Sequence, residues 1–496
     1  MTKPRHVDVL ILGAGISGIG AACHLTRDFP QRSYAILERR HNIGGTWDLF
    51  RYPGVRSDSD MYTFGFNFRP WLDTKVLADG TSIRNYVNET AAEYGVPEHI
   101  TFGRKATDAS WSSEDGRWTV SAVDEAGGAS ETWTSDFLIV CTGYYDYDKG
   151  YRPELPGEHD FAGTLIHPQH WPDDLEYRDK RVVVIGSGAT AVTLVPAMAQ
   201  DAAHVTMLQR SPTYIVSLPA VDKISLAMRR VLPDKFNYRL ARGRNILIQR
   251  AMYRFAQRRP AWMRKLVLAG ARKHLGDDAD LAHFNPKYNP WDQRLCVVPD
   301  GDLFNSLRSG KADIVTDTID TFTPDGIRLT SGAELKADIV VVATGLQMQL
   351  FGGATLHVDG APVAINRKLT YKGVLLEDVP NAAIVFGYTN ASWTLKADLA
   401  SEYVVRLLRY MDANGYTRAV ARASDEERGT DSVMSGLDSG YVRRGDEQLP
   451  RQGKRAPWRV LNDYLRDAPM MRRGRIDDGV LQFSRTPARR SEKQPA

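Results

Sequence analysis

Cysteine is scarce in this chain of 496 residues, which contains only Cys23, Cys141 and Cys296. These residues form no C-x-x-C pair and no spacing typical of metal ligands. The sequence therefore indicates neither a disulfide framework nor a metal centre.

Long apolar runs are also absent, since no stretch approaches the roughly 18 residues that a membrane span needs. The N-terminus, MTKPRHVDVLILGAGISG, has a short apolar core that continues into a glycine-rich turn. We interpret it as a first strand and not as an export signal. The expected location is the cytoplasm.

The net charge is also small, at +4. The charged residues are, however, unevenly distributed along the chain. Residues 221–275 contain fifteen Lys or Arg and two Asp, a net charge of +13, which leaves −9 for the rest. We call residues 221–290 the basic insert, and their pattern predicts helices. Tyr253, Phe255 and Trp262 suit either a solvated face or peripheral association with the inner face of the cell membrane. No recognised nucleic-acid module accompanies the charge, so no nucleic-acid partner is expected.

A glycine-rich turn, Gly13-x-Gly15-x-x-Gly18, follows the first apolar strand and precedes a helical pattern. In a dinucleotide-binding unit Gly13 permits the tight turn, Gly15 lets a pyrophosphate approach, and Gly18 lets helix and strand pack closely. Ser17 lies in the first turn of the helix whose N-terminus would face the phosphates. The next strand ends at Glu38, twenty residues after Gly18, where a carboxylate can accept from a ribose hydroxyl. The N-terminal position of this unit suits FAD.

A second turn, GSGATA, repeats this design after another apolar strand. The following strand ends in Arg210 and Ser211, where the first unit has an acid. An acid would repel a 2′-phosphate, whereas Arg210 pairs with it and Ser211 donates to it, so NADPH is expected rather than NADH. The alternative for Arg210 is a solvated side chain at a strand end. The expected NADP-binding residues are Gly186, Gly188, Thr190, Ala191, Arg210 and Ser211.

Two further apolar strands stop at Thr142–Gly143 and Thr344–Gly345, where the backbone can pass close to a cofactor. Because the second lies far downstream, the flavin domain is expected to be discontinuous. The expected fold is α/β, with two Rossmann-like dinucleotide-binding domains, for FAD and NADPH, and a helical insert. Its expected parts are residues 1–145 (FAD domain, first part), 146–175 (linker), 176–220 (NADPH domain, first part), 221–290 (the basic insert), 291–335 (NADPH domain, second part), 336–480 (FAD domain, second part) and 481–496 (disordered tail).

Two dinucleotide-binding domains indicate hydride transfer from a nicotinamide to a flavin. They fit a disulfide reductase, a ferredoxin reductase, a relative of the amine oxidases or a monooxygenase. A disulfide reductase needs a cysteine pair beside its flavin, so the cysteine spacing nearly excludes it. These motifs alone leave the other three classes open.

The segment between the two units, FAGTLIHPQHWP, resembles the fingerprint of the Baeyer–Villiger monooxygenases, the class B flavin monooxygenases. Its fixed positions are Phe161, Gly163, His167, Trp171 and Pro172. A second stretch, GGTWDLFRYPGVRSD, is similar to the family's other signature and contains Gly45, Thr46, Trp47 and Asp58. The resemblance covers nearly the whole chain, and it is greatest to members that also oxygenate the sulfur of thioamides.

The resemblance implies FAD and NADPH as cofactors, O2 as co-substrate, and a small apolar ketone, thioamide or sulfide as substrate. Within the family, oxygen passes through a C4a-peroxyflavin, and ketones become esters or lactones. The resemblance also implies that the second signature contacts FAD and that the fingerprint segment is a hinge, with His167 as a hydrogen-bonding element. The alternatives are an N- or S-hydroxylating flavin monooxygenase without Baeyer–Villiger activity and, in another class, a redox sensor without turnover.

Arg294, in YNPWDQRLC, matches the family's active-site arginine, and Asp58 is its expected partner near the flavin. An arginine suits this role because it keeps its charge while it stabilises a developing oxyanion. The alternatives are a structural arginine in a loop and, for Asp58, a helix N-cap. Many relatives have Lys before this arginine, whereas this chain has Gln293, which leaves Arg210 as the main discriminator for NADPH.

Asn390 and Trp393, in GYTNASWTLKADL, are expected at the substrate pocket if the resemblance holds. A helical pattern follows Trp393. A buried aromatic side chain before a helix is the alternative for this residue.

Overall fold

The computed structural model describes residues 4–128, 130–293 and 295–485. The strands are, in chain order, β1 (Arg5–Leu12), β2 (Tyr34–Glu38), β3 (Ile100–Phe102), β4 (Arg104–Ser112), β5 (Arg117–Asp124), β6 (Glu131–Val140), β7 (Tyr145–Gly150), β8 (Thr164–Ile166), β9 (Arg181–Ile185), β10 (His204–Gln209), β11 (Ile215–Leu218), β12 (Cys296–Pro299), β13 (Ala312–Thr316), β14 (Ile319–Thr323), β15 (Gly326–Leu329), β16 (Glu334–Lys336), β17 (Ile339–Val342), β18 (Leu346–Met348), β19 (Thr355–Val358), β20 (Ala361–Pro362), β21 (Thr370–Tyr371), β22 (Leu375–Leu376), β23 (Ala382–Ile384), β24 (Arg418–Ala421), β25 (Arg428–Ser432), β26 (Arg451–Gly453) and β27 (Leu481–Ser484).

The helices are α1 (Ile16–Asp28), α2 (Thr46–Leu49), α3 (Met61–Phe64), α4 (Gly80–Glu93), α5 (Ala189–Met198), α6 (Lys223–Met228), α7 (Asp234–Arg258), α8 (Pro260–Leu275), α9 (Asp302–Arg308), α10 (Trp393–Asn414), α11 (Gly440–Gly445) and α12 (Tyr464–Arg473). None of the helices that the structure describes is long and apolar enough to cross a bilayer.

The first sheet is organised around β1, whose apolar sequence is typical of a strand buried on both faces. The strand order is β20-β19-β4-β5-β6-β1-β2-β3. β1 is parallel to β2 and β6, with Leu10 beside Leu138, and β23 extends the parallel part along the second half of β6. α1 and α10 pack together, and their apolar residues share one core with this sheet. The first glycine-rich turn therefore lies at the carboxyl end of β1, where ligands bind in open parallel sheets.

The second sheet is wholly parallel, with the strand order β13-β10-β9-β17-β8. β9 leads into the second glycine-rich turn and then into α5. Together the two sheets confirm the predicted α/β class.

The chain crosses between the two sheets twice, and the two crossings pair with each other. β7 leads from the first sheet to the second, and β18 leads back. The two strands are antiparallel, with Leu346 beside Gly150 and Met348 beside Tyr145. The connection between the two sheets is thus two-stranded, with β18 beside the strand β7 that opens the predicted linker.

Three details differ from the expectations for the domain parts. β17 pairs with β9 in the second sheet, so the boundary at residue 336 was placed one strand too early. Residues 164–166 of the fingerprint segment form the edge strand β8, so this part of the expected hinge belongs to the second sheet. β27 pairs with β24, so the disorder predicted from residue 481 is wrong for residues 481–484, where chain pairing overrides a polar composition. Residues 486–496 of that tail lie outside the described residues.

The basic insert is helical, as predicted, and a buried arginine attaches it to the first domain. Arg242, on α7, donates from Nη1 to Tyr62 O and to Gly65 O, each at 2.7 Å. Its Nη2 is 3.5 Å from Asp398 Oδ2 on α10, and only 8% of the Arg242 side chain and 2% of the Asp398 side chain are exposed. A buried guanidinium that satisfies several carbonyls fixes the position of α7 over the first domain.

Candidate active site

A cavity of about 510 Å³ lies between the two glycine-rich units and the insert. Cofactor and ligand sites are commonly about 300–1,000 Å³. The predicted site residues that line the cavity are Gly13, Gly15, Ser17, Glu38, Gly45, Thr46, Trp47, Asp58, Thr190, Asn390 and Trp393. Those that do not are Gly18, Gly186, Gly188, Ala191, Arg210, Ser211 and the five fingerprint residues. Arg294 lies outside the described residues, but Trp291 and Leu295, on either side of it in the chain, line the cavity.

The first glycine-rich turn has the close approaches that its spacing predicts. Gly13 has a φ of +100°, and a Cβ there would lie 2.7 Å from the Cys141 carbonyl oxygen. A Cβ on Gly18 would overlap the carbonyl oxygen of Gly13. Gly15 faces Gly45, where a Cβ would lie 2.9 Å from the Gly15 Cα. Two backbone segments thus line the cavity without side chains between them, as a pyrophosphate cradle requires.

Glu38 lies buried at the end of β2, beside the first turn. The Ala14 N–H donates to Glu38 Oε2 at 2.6 Å, and the Arg40 N–H donates to Oε1 at 2.8 Å. Burial raises the pKa of this carboxyl, while the two backbone donors oppose the rise. Glu38 therefore anchors the first glycine-rich turn, a role that the sequence spacing alone does not reveal. Each carboxylate oxygen retains a lone pair that can accept a hydrogen bond from a ribose hydroxyl.

Trp393 and Asn390 form one wall of the cavity. Trp393 Nε1 donates to Ser17 Oγ at 2.8 Å, and the indole stacks on Tyr144 with ring centroids 5.3 Å apart. Asn390 Nδ2 donates to Asn462 O at 2.9 Å. Asn390 Oδ1 is buried and accepts no hydrogen bond from the part of the chain that the structure describes. A buried amide oxygen of this kind is suited to accept an N–H of a bound ligand.

Asp58 lines the cavity and does not cap a helix. The N-cap of α3 is Asp60, whose Oδ1 accepts from the Thr63 N–H at 3.1 Å. The alternative that we considered for Asp58 is therefore wrong, because Asp60 is the acid directly before the helix. Sequence reasoning missed Arg56, a cation on the cavity wall that pairs with Asp302 at 2.5 Å. Arg56 lies between Gly54 and Asp58 in the second signature, and this position could have indicated that it lines the cavity.

The second glycine-rich turn lies at the carboxyl end of β9. Gly186 has a φ of +135°, and a Cβ there would overlap the Ala343 carbonyl oxygen. Arg210 and Ser211 are exposed at the end of β10. Ser187 Oγ donates to Ser211 O at 3.1 Å, which attaches the loop after β10 to the turn. Among the described residues Arg210 has no acidic partner, so its guanidinium is available to a ligand.

The fingerprint residues do not line the cavity: His167 contacts the crossing strand β7, and Phe161 and Trp171 pack on the second domain. Phe161 packs edge-on against Phe322, and a Cβ on Gly163 would lie 2.5 Å from Asp338 O. His167 Nδ1 accepts from the Gln169 N–H at 3.2 Å, and its ring lies against Gly150 on β7. Burial lowers the pKa of His167, so its imidazole is neutral near pH 7. Trp171 packs on the core of the second domain, next to Pro172.

The insert also contributes to the cavity. Gln249, Met252 and Tyr253, on α7, line it, and Tyr253 meets Trp291 edge-on with ring centroids 6.3 Å apart. The sequence predicted helices here but not which side chains turn inward, because that depends on how α7 sits over the first domain.

The family comparison agrees with this geometry. Residues 6–351 match the family model described as flavin-binding monooxygenase-like. The chain belongs to the flavin-binding monooxygenase family. It is 58% identical over 484 residues to MymA of Mycobacterium tuberculosis, with 97% of this chain and 98% of that protein covered. It is 54% identical over 486 residues to the FAD-containing monooxygenase EthA of Mycobacterium tuberculosis, with 98% and 99% covered. The predicted class of flavin monooxygenases is thereby confirmed.

Solved structures of monooxygenases share the fold of this family member. An oxidised steroid monooxygenase bound to NADP is 21% identical and has a TM-score of 0.75, with 97% of this chain and 100% of that chain covered. An open cyclohexanone monooxygenase is 19% identical with the same TM-score and coverage. Because the sequence identities to these two structures are only 21% and 19%, the likeness shows that the chain shares their fold.

Proposed function

We propose that this flavin monooxygenase uses FAD, NADPH and O2 to convert ketones to esters or lactones, and that it also oxygenates the sulfur of thioamides and sulfides. The observation that carries the proposal is the single cavity that joins the first glycine-rich turn, Thr190 of the second unit and the signature residue Asp58. The filled Baeyer–Villiger fingerprint supports this reaction over simple N- or S-hydroxylation. FAD bound there would accept hydride from the nicotinamide and activate O2.

The protein residues have separate tasks in this proposal. Gly13, Gly15 and Gly45 would hold the FAD pyrophosphate, and Glu38 would accept from its ribose. Thr46 and Trp47 line the same cavity next to Gly45. Arg294 would stabilise the oxyanion that forms on the substrate, with Asp58 to orient it. 

The reaction is tested with purified, FAD-loaded protein and a panel of aliphatic ketones, aryl ketones and a thioamide. NADPH oxidation is followed while the products are identified by mass. One ester for each NADPH supports the proposal. Oxidation of the thioamide without any ester from a ketone would favour the alternative, an N- or S-hydroxylating monooxygenase.

Arg210 is expected to set the preference for NADPH. Because a charge-assisted hydrogen bond contributes about 1.5–3 kcal/mol, Arg210→Gln should raise the KM for NADPH by about 10- to 100-fold. The KM for NADH should change little, since NADH lacks the 2′-phosphate. Steady-state kinetics with both coenzymes checks this result. Arg178→Gln, at an exposed arginine of the same domain, is the matched control, and an equal rise for both coenzymes would contradict the assignment.

We also propose that the basic insert binds the surface of an anionic membrane. Most of the large apolar side chains that are exposed in the described residues lie on it, namely Ile224, Val231, Phe236, Leu240, Leu247, Ile248, Met252, Phe255, Trp262 and Leu266. Met252 also lines the cavity, so this apolar surface reaches the wall of the site where an apolar substrate would bind. The charge of +13 over residues 221–275 complements anionic lipids.

The protein should co-sediment with vesicles that contain phosphatidylserine at low salt and much less with neutral phosphatidylcholine vesicles. Because exposed charges are screened over about 3 Å at 1 M salt, the binding should weaken steeply as salt is added. Trp262→Glu should reduce binding, since it places a carboxylate on the apolar face. Failure to bind at low salt, with concentration-dependent dimers in gel filtration, would assign the face to a second copy of the chain.

A further inference from the structure

Lys396 and Asp467 form an ion pair inside the protein, close to the cavity. Lys396 Nζ is 3.1 Å from Asp467 Oδ2, and the exposed fractions of the two side chains are 4% and 1%. Lys396 also donates to Lys372 O at 3.1 Å. Removing two charges from water costs several kcal/mol per ion, and an apolar pair of similar volume is often as stable. Stability alone is therefore a weak reason for these two residues.

Tyr388 connects this ion pair to the cavity. Its hydroxyl donates to Asp467 Oδ2 at 2.8 Å, and its side chain lines the cavity next to Asn390. One carboxylate oxygen thus contacts the Lys396 ammonium on one side and, on the other, the hydroxyl of a tyrosine whose side chain lines the cavity. The three groups form a continuous hydrogen-bonded chain.

A side cavity of about 30 Å³ lies beside this chain, lined by Thr370, Tyr388 and Lys396, and it shares Trp393 with the main cavity. A water molecule needs about 10–15 Å³ of such volume and two to four polar partners. Thr370 Oγ1 is buried and has no hydrogen-bond partner among the described residues. The side cavity is therefore large and polar enough for ordered water that contacts Lys396.

We infer that Lys396, Asp467 and Tyr388 form a proton relay that delivers a proton into the main cavity. The inference rests on the proposed function, in which NADPH, O2, substrate and one proton give NADP⁺, water and the oxygenated product. The Tyr388 hydroxyl gives its proton to an acceptor in the cavity and takes one from Asp467. Asp467 takes its proton from the Lys396 ammonium, which is protonated again through the side cavity. Tyr388 and Asp467 end unchanged.

The charges around the relay suit this direction of transfer. Burial lowers the pKa of Lys396, and Asp467 opposes the shift, so this ammonium gives up a proton more readily than an exposed lysine. Burial and then Asp467 raise the pKa of Tyr388, which keeps the hydroxyl protonated at rest. Tyr464 and Asp463 also raise the pKa of Tyr388.

The chain offers a matched control of the same composition. Tyr371 donates to Asp478, and Lys372 Nζ is 3.3 Å from Asp478 Oδ2. Among the described residues that line the main and side cavities, neither Tyr371 nor Lys372 occurs. Tyr371 and Lys372 are buried, whereas Asp478 reaches the surface. The variants Tyr371→Phe and Lys372→Met thus report the cost of losing a Tyr–Asp–Lys group without access to the site.

The test follows proton uptake with a pH indicator in weakly buffered, FAD-loaded full-length protein, and it needs no ketone. Reoxidation of the dithionite-reduced protein by O2 consumes one proton and yields H2O2 for each flavin. In Tyr388→Phe, which keeps the ion pair, this proton uptake should be about 100-fold slower than in Tyr371→Phe, because general acid–base groups commonly contribute about 10²–10⁴-fold.

An equilibrium measurement provides a readout that is independent of turnover. Anaerobic reduction places a negative charge in the cavity, which should raise the pKa of Lys396, so the protein should take up part of an additional proton over the pH range in which Lys396 titrates. Lys396→Met should lose this uptake, whereas Lys372→Met should keep it. Equal uptake and equal rates in the relay and control variants would overturn the relay. A protein that forms no ester but shows these differences would retain the relay and overturn only the Baeyer–Villiger proposal.

Discussion

Arg294→Ala is expected to lower kcat for ester formation by about 10²–10³-fold, as the loss of one oxyanion-stabilising donor does elsewhere. The guanidinium would remain charged at every working pH and would stabilise negative charge in a site that excludes water. NADPH oxidation should continue in the variant and yield peroxide, because flavin reduction does not need this group. Arg294→Lys should recover part of the rate, since it restores the charge without the planar fork of donors.

The measurement is the ratio of ester to NADPH consumed, together with single-turnover rates of product formation. Lys287→Ala, at an exposed residue of the same loop, is the matched control and should behave as the wild type. A kcat in Arg294→Ala within a few-fold of the wild type would show that the arginine is structural, which is the alternative left open by the sequence.

Arg242→Met is expected to have the largest effect on stability, about 3–5 kcal/mol, because it leaves the buried Asp398 without its guanidinium. It also removes the donors to Tyr62 O and Gly65 O, which hold α7 on the first domain. Chemical denaturation followed by tryptophan fluorescence measures the loss. Arg239→Met, at an exposed position three residues earlier on α7, should change stability by less than about 0.5 kcal/mol.

A second substitution separates the lost charge pair from the lost packing. In Arg242→Met/Asp398→Leu neither charge remains buried, so stability should recover in part. Recovery is incomplete because the Asn67 N–H, which donates to Asp398 Oδ2 at 2.9 Å, loses its acceptor. A single variant that unfolds like Arg239→Met would show that α7 is held by apolar contacts alone.

The parts of the site that the sequence predicts well are set by short-range spacing. Gly13, Gly15 and Gly18 lie within one turn, and backbone sterics dictate glycine at each, so their positions follow from the pattern. Glu38 follows from the fixed length of a helix and its return strand. Asp58 is predicted near the flavin only because it belongs to the family signature. Local sequence does not distinguish Asp58 from Asp60, and only the position at which α3 begins makes Asp60 the N-cap.

The parts that the sequence does not predict depend on contacts between distant segments. Tyr388 and Asp467 are 79 residues apart, and they meet because α12 packs against α10. Met252 turns into the cavity because Arg242, ten residues earlier, fixes α7. β17 pairs with β9 and therefore belongs to the second sheet. Its apolar sequence is typical of any buried strand, so the sequence alone does not show which sheet it joins.

The paired crossings β7 and β18 have a consequence for how coenzyme choice can change. The chain enters and leaves the second domain at adjacent points, since Gly150 lies beside Leu346. A segment with adjacent ends can be exchanged as one cassette without stretching either junction. Residues 151–345 of this chain form an exchangeable segment that includes the basic insert, whose Arg242 bonds to the first domain. A chimera with the corresponding segment of a relative that keeps this arginine should therefore inherit that relative's preference between NADPH and NADH and retain Gly13, Gly15 and Glu38 of its own flavin site.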